Sequence, residues 1–154
     1  MKLSKYNLFL SAKYAVASEF YRRNILKLTL TDLRKNDIIC HTSKNAYKIK
    51  VKAKQGSEWP GIKDIYGNDM ILILVDFEDK EIFERPDFYL LTSEDWRNLL
   101  LQNYSKYLEN GDVELDDKNT ITWICEEKPY KGVLVKPNEI IEFKEKWDKI
   151  KGLT

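Results

Sequence analysis

The sequence predicts a mixed α/β domain, with a central β-sheet flanked by helices. Three stretches carry that expectation. Asn36 to Lys54, NDIICHTSKNAYKIKVKAK, alternates in a period of two on either side of a polar turn. Met70 to Phe77, MILILVDF, is almost wholly apolar, as a strand covered on both faces is. Tyr6 to Arg23 and the stretch after Ser93 repeat their apolar residues at helical spacing. A chain of 154 residues with 43% hydrophobic and 12% aromatic residues is long enough to bury one good core, so 1–154 reads as a single domain.

In chain order, Leu8, Ala12, Ala15 and Glu19 recur at spacings of four, three and four within Tyr6–Arg23. At about 100° per residue they fall within roughly 60° of one another, so Glu19 stands on the stripe that faces the core. A carboxylate there needs a cation, donors or a metal. It reads either as a stripe-edge partner of Arg23 or Lys52, or as a site residue. Ile25–Thr31, ILKLTLT, is a β-branched and Leu-rich strand, and Asp32–Asn36 a polar turn.

The central hairpin follows. Asp37, Ile39 and His41 share one face of its first strand. Ser43, Lys44 and Asn45 turn the chain. The second strand puts Lys48, Lys50, Lys52 and Lys54 on one face and Tyr47, Ile49, Val51 and Ala53 on the other, toward a core. Such a lysine row reads as a solvated sheet face or as a phosphate-binding groove.

Lys54–Asp69 is loop-like, broken by Gly56, Pro60, Gly61 and Gly67. Its Trp59 and Tyr66 read as a lid, as a stacking surface for bases, or as aromatics closing over the core. Asp87–Thr92, DFYLLT, is another strand. Ser93 suits an N-cap, with Glu94 and Asp95 in the first turn. Trp96, Leu99, Leu100, Asn103 and Tyr107 continue at helical spacing. Thr120–Cys125 is a strand within a polar stretch. Pro137 opens a last helix carrying Ile140, Phe143, Trp147 and Ile150 on one face, with Gly152 as its stop.

Charge and cysteine usage exclude several classes. With 26 Lys+Arg against 25 Asp+Glu the net charge is +1, so bulk charge announces no nucleic-acid partner and any basic surface must come from clustering. Cys40 and Cys125 are far apart, and with one histidine a structural zinc site is not expected. Two such cysteines read as reduced, small hydrophobes. No stretch is apolar enough to span a membrane, and Met1–Leu10 lacks a signal-peptide pattern, so a cytoplasmic protein is expected.

The helix with Glu19, the strand opening at Asp37 and the strand ending IKVK resemble the PD-(D/E)xK, or restriction-endonuclease-like, nuclease superfamily. In particular they are similar to an uncharacterised bacterial branch whose third motif often reads I-Q-V-K. AKYAVASEFYRRN is similar to that branch's first helix, RPDFYLLTSEDW to its later strand and helix start, and EFKEKWDKIKG to its C-terminal helix. The resemblance implies an α-β-β-β-α-β core with a C-terminal strand and helix appended. It implies Glu19, Asp37 and Lys52 as catalytic residues, with Asp37 and Glu19 holding Mg²⁺ if the site is active. Lys52 would orient the attacking water and stabilise the developing charge. DNA is the partner it implies, with Lys48, Lys50 and Lys54 contacting phosphates, and it leaves room for a homodimer.

The third motif departs from the family. Lys50 stands where an oxygen ligand should be, and an ammonium has donors and no acceptor. Its charge is expected instead to neutralise Asp37 and Glu19 directly. Asn36 stands where the family name has proline. Two function classes follow: a metal-dependent DNA nuclease with impaired or lost activity, and a non-catalytic module using the same fold to bind nucleic acid or a protein partner.

Overall fold

The computed structural model describes residues 2–30, 37–124 and 127–153, with Asp37 described by its backbone alone. The expected turn over Asp32–Asn36, Asn36 itself and Cys125 lie outside the described residues. The fold is mixed α/β, built on a mixed five-stranded sheet.

Helix α1 (Lys5–Arg22) opens at Ser4, whose hydroxyl accepts the Asn7 N–H at 3.1 Å. Strands β1 (Lys27–Leu30), β2 (Asp37–His41) and β3 (Ala46–Lys54) follow, then β4 (Trp59–Ile62), β5 (Met70–Asp76) and β6 (Asp87–Thr92). Helices α2 (Ser93–Asn103) and α3 (Ser105–Asn110) lead into β7 (Val113–Leu115), β8 (Ile121–Trp123), β9 (Tyr130–Lys131) and β10 (Val133–Val135). The central sheet runs β1-β2-β3-β5-β6, antiparallel except where β3 lies parallel to β5. Short sheets β7-β8-β9 and β10-β4 stand beside it.

Around β5 both faces of the central sheet are covered, which is why every residue of that strand is buried. On one face, Ala12, Val16 and Phe20 of α1 pack against Ile49, Val51, Ile71 and Ile73. On the other, Leu72, Leu74 and Leu91 pack against Trp96, Leu99 and Leu100 of α2, with Trp59, Ile62 and Val135 from the short strands. Layers on both sides of one sheet are the usual way such a chain buries two apolar faces.

The structure departs from the expected α-β-β-β-α-β order, since among the described residues no helix stands between β3 and β6, and several boundaries also differ from the expectation. The N-cap of α2 is Thr92, not Ser93: Thr92 and Asp95 form a reciprocal capping box at 3.0 and 2.9 Å. The helix expected to run on to Tyr107 breaks at Tyr104 into α2 and α3, and ends at Gly111 with φ 77°. The loop over Lys54–Asp69 contains β4, which pairs with β10.

The last helix is instead three short 3₁₀ turns, Pro137–Glu139, Ile141–Phe143 and Trp147–Lys149. Lys144 bridges to Tyr89, the Glu145 N–H donates to Phe88 O at 2.8 Å, and Glu145 adopts φ 57°, so a continuous helix cannot form there. The segment has to serve both layers. Ile140 and Phe143 join the α2 side, while Trp147 and Ile150 join the α1 side.

Candidate functional site

The antiparallel register pairs Asp37 with Lys50 and Ile39 with Lys48. Opposite residues of a ladder share a face, as the alternation in the sequence requires. Across the sheet the same row continues as Lys48–Met70, Lys50–Leu72, Lys52–Leu74 and Lys54–Asp76. The lysine row therefore borders the α2-side core and is not a wholly solvated face. Lys48 is exposed, Lys50 and Lys52 are half-buried, and Lys54 is buried. Lys50 Nζ donates to Lys63 O at 3.1 Å. The side chain of Asp37, and so its distance from Lys50, lies outside the described residues.

Lys54 does different work from its neighbours. Its ammonium lies 2.7 Å from Asp76, its ladder partner, and 2.7 Å from Glu78, and donates to Gly56 O at 2.9 Å. It also sits 5.0 Å from the Trp59 ring. With only 2% of its surface exposed, it is an internal counter-ion rather than a phosphate ligand. Trp59 closes over the core: it is fully buried, donates to Val75 O at 3.0 Å and meets Tyr89 edge-on. Tyr66 remains partly exposed, with the Lys118 ammonium over its ring.

Glu19 is buried on α1, as its stripe requires, and its partners are guanidinium groups. Arg23, one turn on, bonds one oxygen, and Arg85 bonds the other; the exposed Arg22 stands 3.5 Å away. Arg85 also forks onto Glu145 at 2.5 and 3.0 Å, and Glu145 accepts the Trp147 indole N–H at 2.7 Å. Burial alone raises the Glu19 pKa, but the hydrogen bonds and charges of Arg85 and Arg23 outweigh it and hold the carboxyl below its ordinary value. Arg85 is pushed further up from an already high value, first by Glu145.

The resemblance places the Glu19 carboxylate close to Asp37 or to Lys52, and the Asp37 side chain lies outside the described residues; Glu19 and Lys52 are not brought together. The fold sets them on opposite sides of the sheet, because α1 packs on the Ile49–Val51 face and Lys52 alternates with Val51. Arg85 and Glu145 escaped the sequence reading because nothing periodic marks them; Arg85 is 66 residues from Glu19 in the chain.

A Mg²⁺ ion needs several oxygen donors at one point. Here Glu19 is taken up by arginines, and position 50 offers an ammonium. Among the described residues no group of three or more His, Cys, Asp or Glu side chains is placed to hold a metal ion. Burial pushes the Cys40 thiol up to about 12, so it is a core side chain and no nucleophile.

No family model, curated protein or solved structure matches the chain. Among the described residues no helix is long and apolar enough to cross a membrane.

Proposed function

We propose that the chain is a restriction-endonuclease-like domain that binds the phosphate backbone of nucleic acid, DNA foremost, and does not hydrolyse it. One observation carries the reading: Lys50 is the ladder partner of Asp37, flanked on the same row by Lys48 and Lys52. At the position where a nuclease of this kind holds a metal, the chain places fixed positive charge instead. That charge stands in for the ion as a neutraliser of carboxylate and phosphate, but it activates no water. Helix α1 followed by the β1-β2-β3 meander supports the first part of the expected α-β-β-β-α-β core, whereas β5 and β6 follow without an intervening helix.

Binding of this kind is sequence-tolerant and falls steeply with salt, because each neutralised phosphate releases counterions. Fluorescence anisotropy of a labelled duplex, titrated between about 50 and 200 mM salt, measures the slope. The double variant Lys48→Ala/Lys52→Ala is expected to flatten it by about two units if each lysine contacts one phosphate. A second reading, a module for a protein partner, is favoured by Ile82 and Phe83, adjacent and 93% and 84% exposed in the β5–β6 connection. Absence of binding to DNA and RNA at low salt selects that reading.

A further inference from the structure

Away from the lysine row, four aromatic residues that the phosphate-binding reading does not use converge on one cleft. Tyr104 comes from the α2–α3 junction, Tyr107 from α3, Trp123 from β8 and Tyr130 from β9. Trp123 and Tyr130 are stacked, with planes 15° apart and centroids 5.9 Å apart. Tyr104 and Tyr107 meet Trp123 edge-on, at 80° and 67° and at 5.8 and 5.3 Å. The indole is fixed in this arrangement, since its N–H donates to Gly132 O at 3.1 Å. The cleft has a volume of about 610 Å³, and Glu139 lines it with the rings.

Its charge is as informative as its shape. The Glu139 carboxylate is held by two neutral donors, the Lys136 N–H at 3.0 Å and the Asn103 amide at 3.1 Å, so its charge is oriented but not cancelled. The Tyr104 phenol is pushed up to about 12, first by burial, then by Glu139 and by the neighbouring phenols of Tyr130 and Tyr107. Four aromatic residues and a carboxylate thus line one space. Ring faces are electron-rich and attract cations. An anion or a phosphate meets repulsion from Glu139. A bare ammonium gives up strong hydration to enter, whereas a methylated ammonium loses less and gains apolar contact.

We propose that this cleft binds a methylated ammonium group of the choline type, with Trp123 and Tyr130 giving the aromatic wall and Glu139 the counter-charge. Lys131, exposed on β9 beside Tyr130, is the cation that opposes it.

Ligand-observed NMR and calorimetry on the full chain test this with three probes: choline, tetramethylammonium, and the neutral isostere of choline in which carbon replaces nitrogen. Both cations are expected to bind, choline at least about tenfold more tightly than its isostere. Glu139→Gln is expected to weaken choline about fivefold, and Lys131→Ala to strengthen it. Trp123→Ala should abolish binding. Because that indole is partly buried, Tyr130→Ala, at an exposed ring, gives a second reading, with thermal unfolding confirming that each variant folds. Equal binding of the isostere, no binding of either cation, or choline affinity indifferent to both Glu139→Gln and Tyr130→Ala overturns the proposal.

Discussion

Replacing Lys54 with methionine is expected to cost about 3–5 kcal/mol of stability. Methionine keeps most of the stem volume beneath Trp59, so little of the loss comes from packing. The loss comes from Asp76, a carboxylate only 7% exposed, which is left in the wall of the core without its cation. Glu78 is better solvated and suffers less. Urea unfolding monitored by tryptophan fluorescence reads the difference as a lowered midpoint at unchanged slope. The double variant Lys54→Met/Asp76→Leu is expected to regain much of the loss, since replacing both ions removes the uncompensated charge. Unchanged stability with weakened DNA binding in Lys54→Met would return Lys54 to the phosphate groove.

The second large effect concerns Glu19. Its removal, as Glu19→Ala, leaves Arg23 and Arg85 without their shared carboxylate, although Arg85 keeps Glu145 and Arg23 keeps the Trp147 ring at 4.2 Å. A loss of about 1–3 kcal/mol is expected, discounted from the fully buried case because Arg85 is part-exposed. The pH dependence has a definite sign. The folded-state pKa of Glu19 is lowered, so its contribution is fully present above the ordinary carboxylate value, about 4.3, and is lost as pH falls through the folded value. Glu145, also lowered by Arg85 against the effect of burial, acts in the same direction. The melting temperature of the wild type should therefore fall between about pH 5 and pH 3, and that of Glu19→Gln should fall less steeply. Parallel acid profiles would mean that Glu19 is not coupled to the arginines in solution.

Which elements were legible in the sequence follows from how each is stabilised. Helix α1, the β2–β3 hairpin and the start of α2 announce themselves because their burial follows one period, and β5 and β6 because they are short, nearly unbroken apolar runs. Strands β4, β7, β9 and β10 have four residues or fewer, and β4 contains Pro60 and Gly61. Their existence depends on partners far along the chain, such as Trp59 opposite Val135, which local pattern does not encode. The C-terminal segment carries true helical spacing, yet its apolar residues are divided between two cores that one straight helix cannot reach.

The same logic governs the sites. Alternation placed all four β3 lysines on one face but could not separate exposed Lys48 from buried Lys54, because that difference is made by Asp76 at the end of β5. It placed Glu19 on the buried stripe and left Arg23 and Lys52 as alternative partners; the structure gives it Arg23, and Arg85 arrives from a loop. Lys13, fully buried on α1 with its ammonium 5.7 Å from the Phe9 ring, carried no signal in the helical pattern. The cleft of Tyr104, Tyr107, Trp123 and Tyr130 is assembled from four elements and has no motif at all.

The most direct measurement combines binding and integrity of one labelled DNA duplex, in Mg²⁺ and in EDTA, at low salt. Anisotropy should show a complex in EDTA, weakened in Mg²⁺ only as far as a competing counterion weakens it, and a denaturing gel should show the strand at full length throughout. Shortened products that appear with Mg²⁺, disappear with EDTA and are absent with Lys52→Ala would contradict the proposal and make the lysine strand part of a working nuclease.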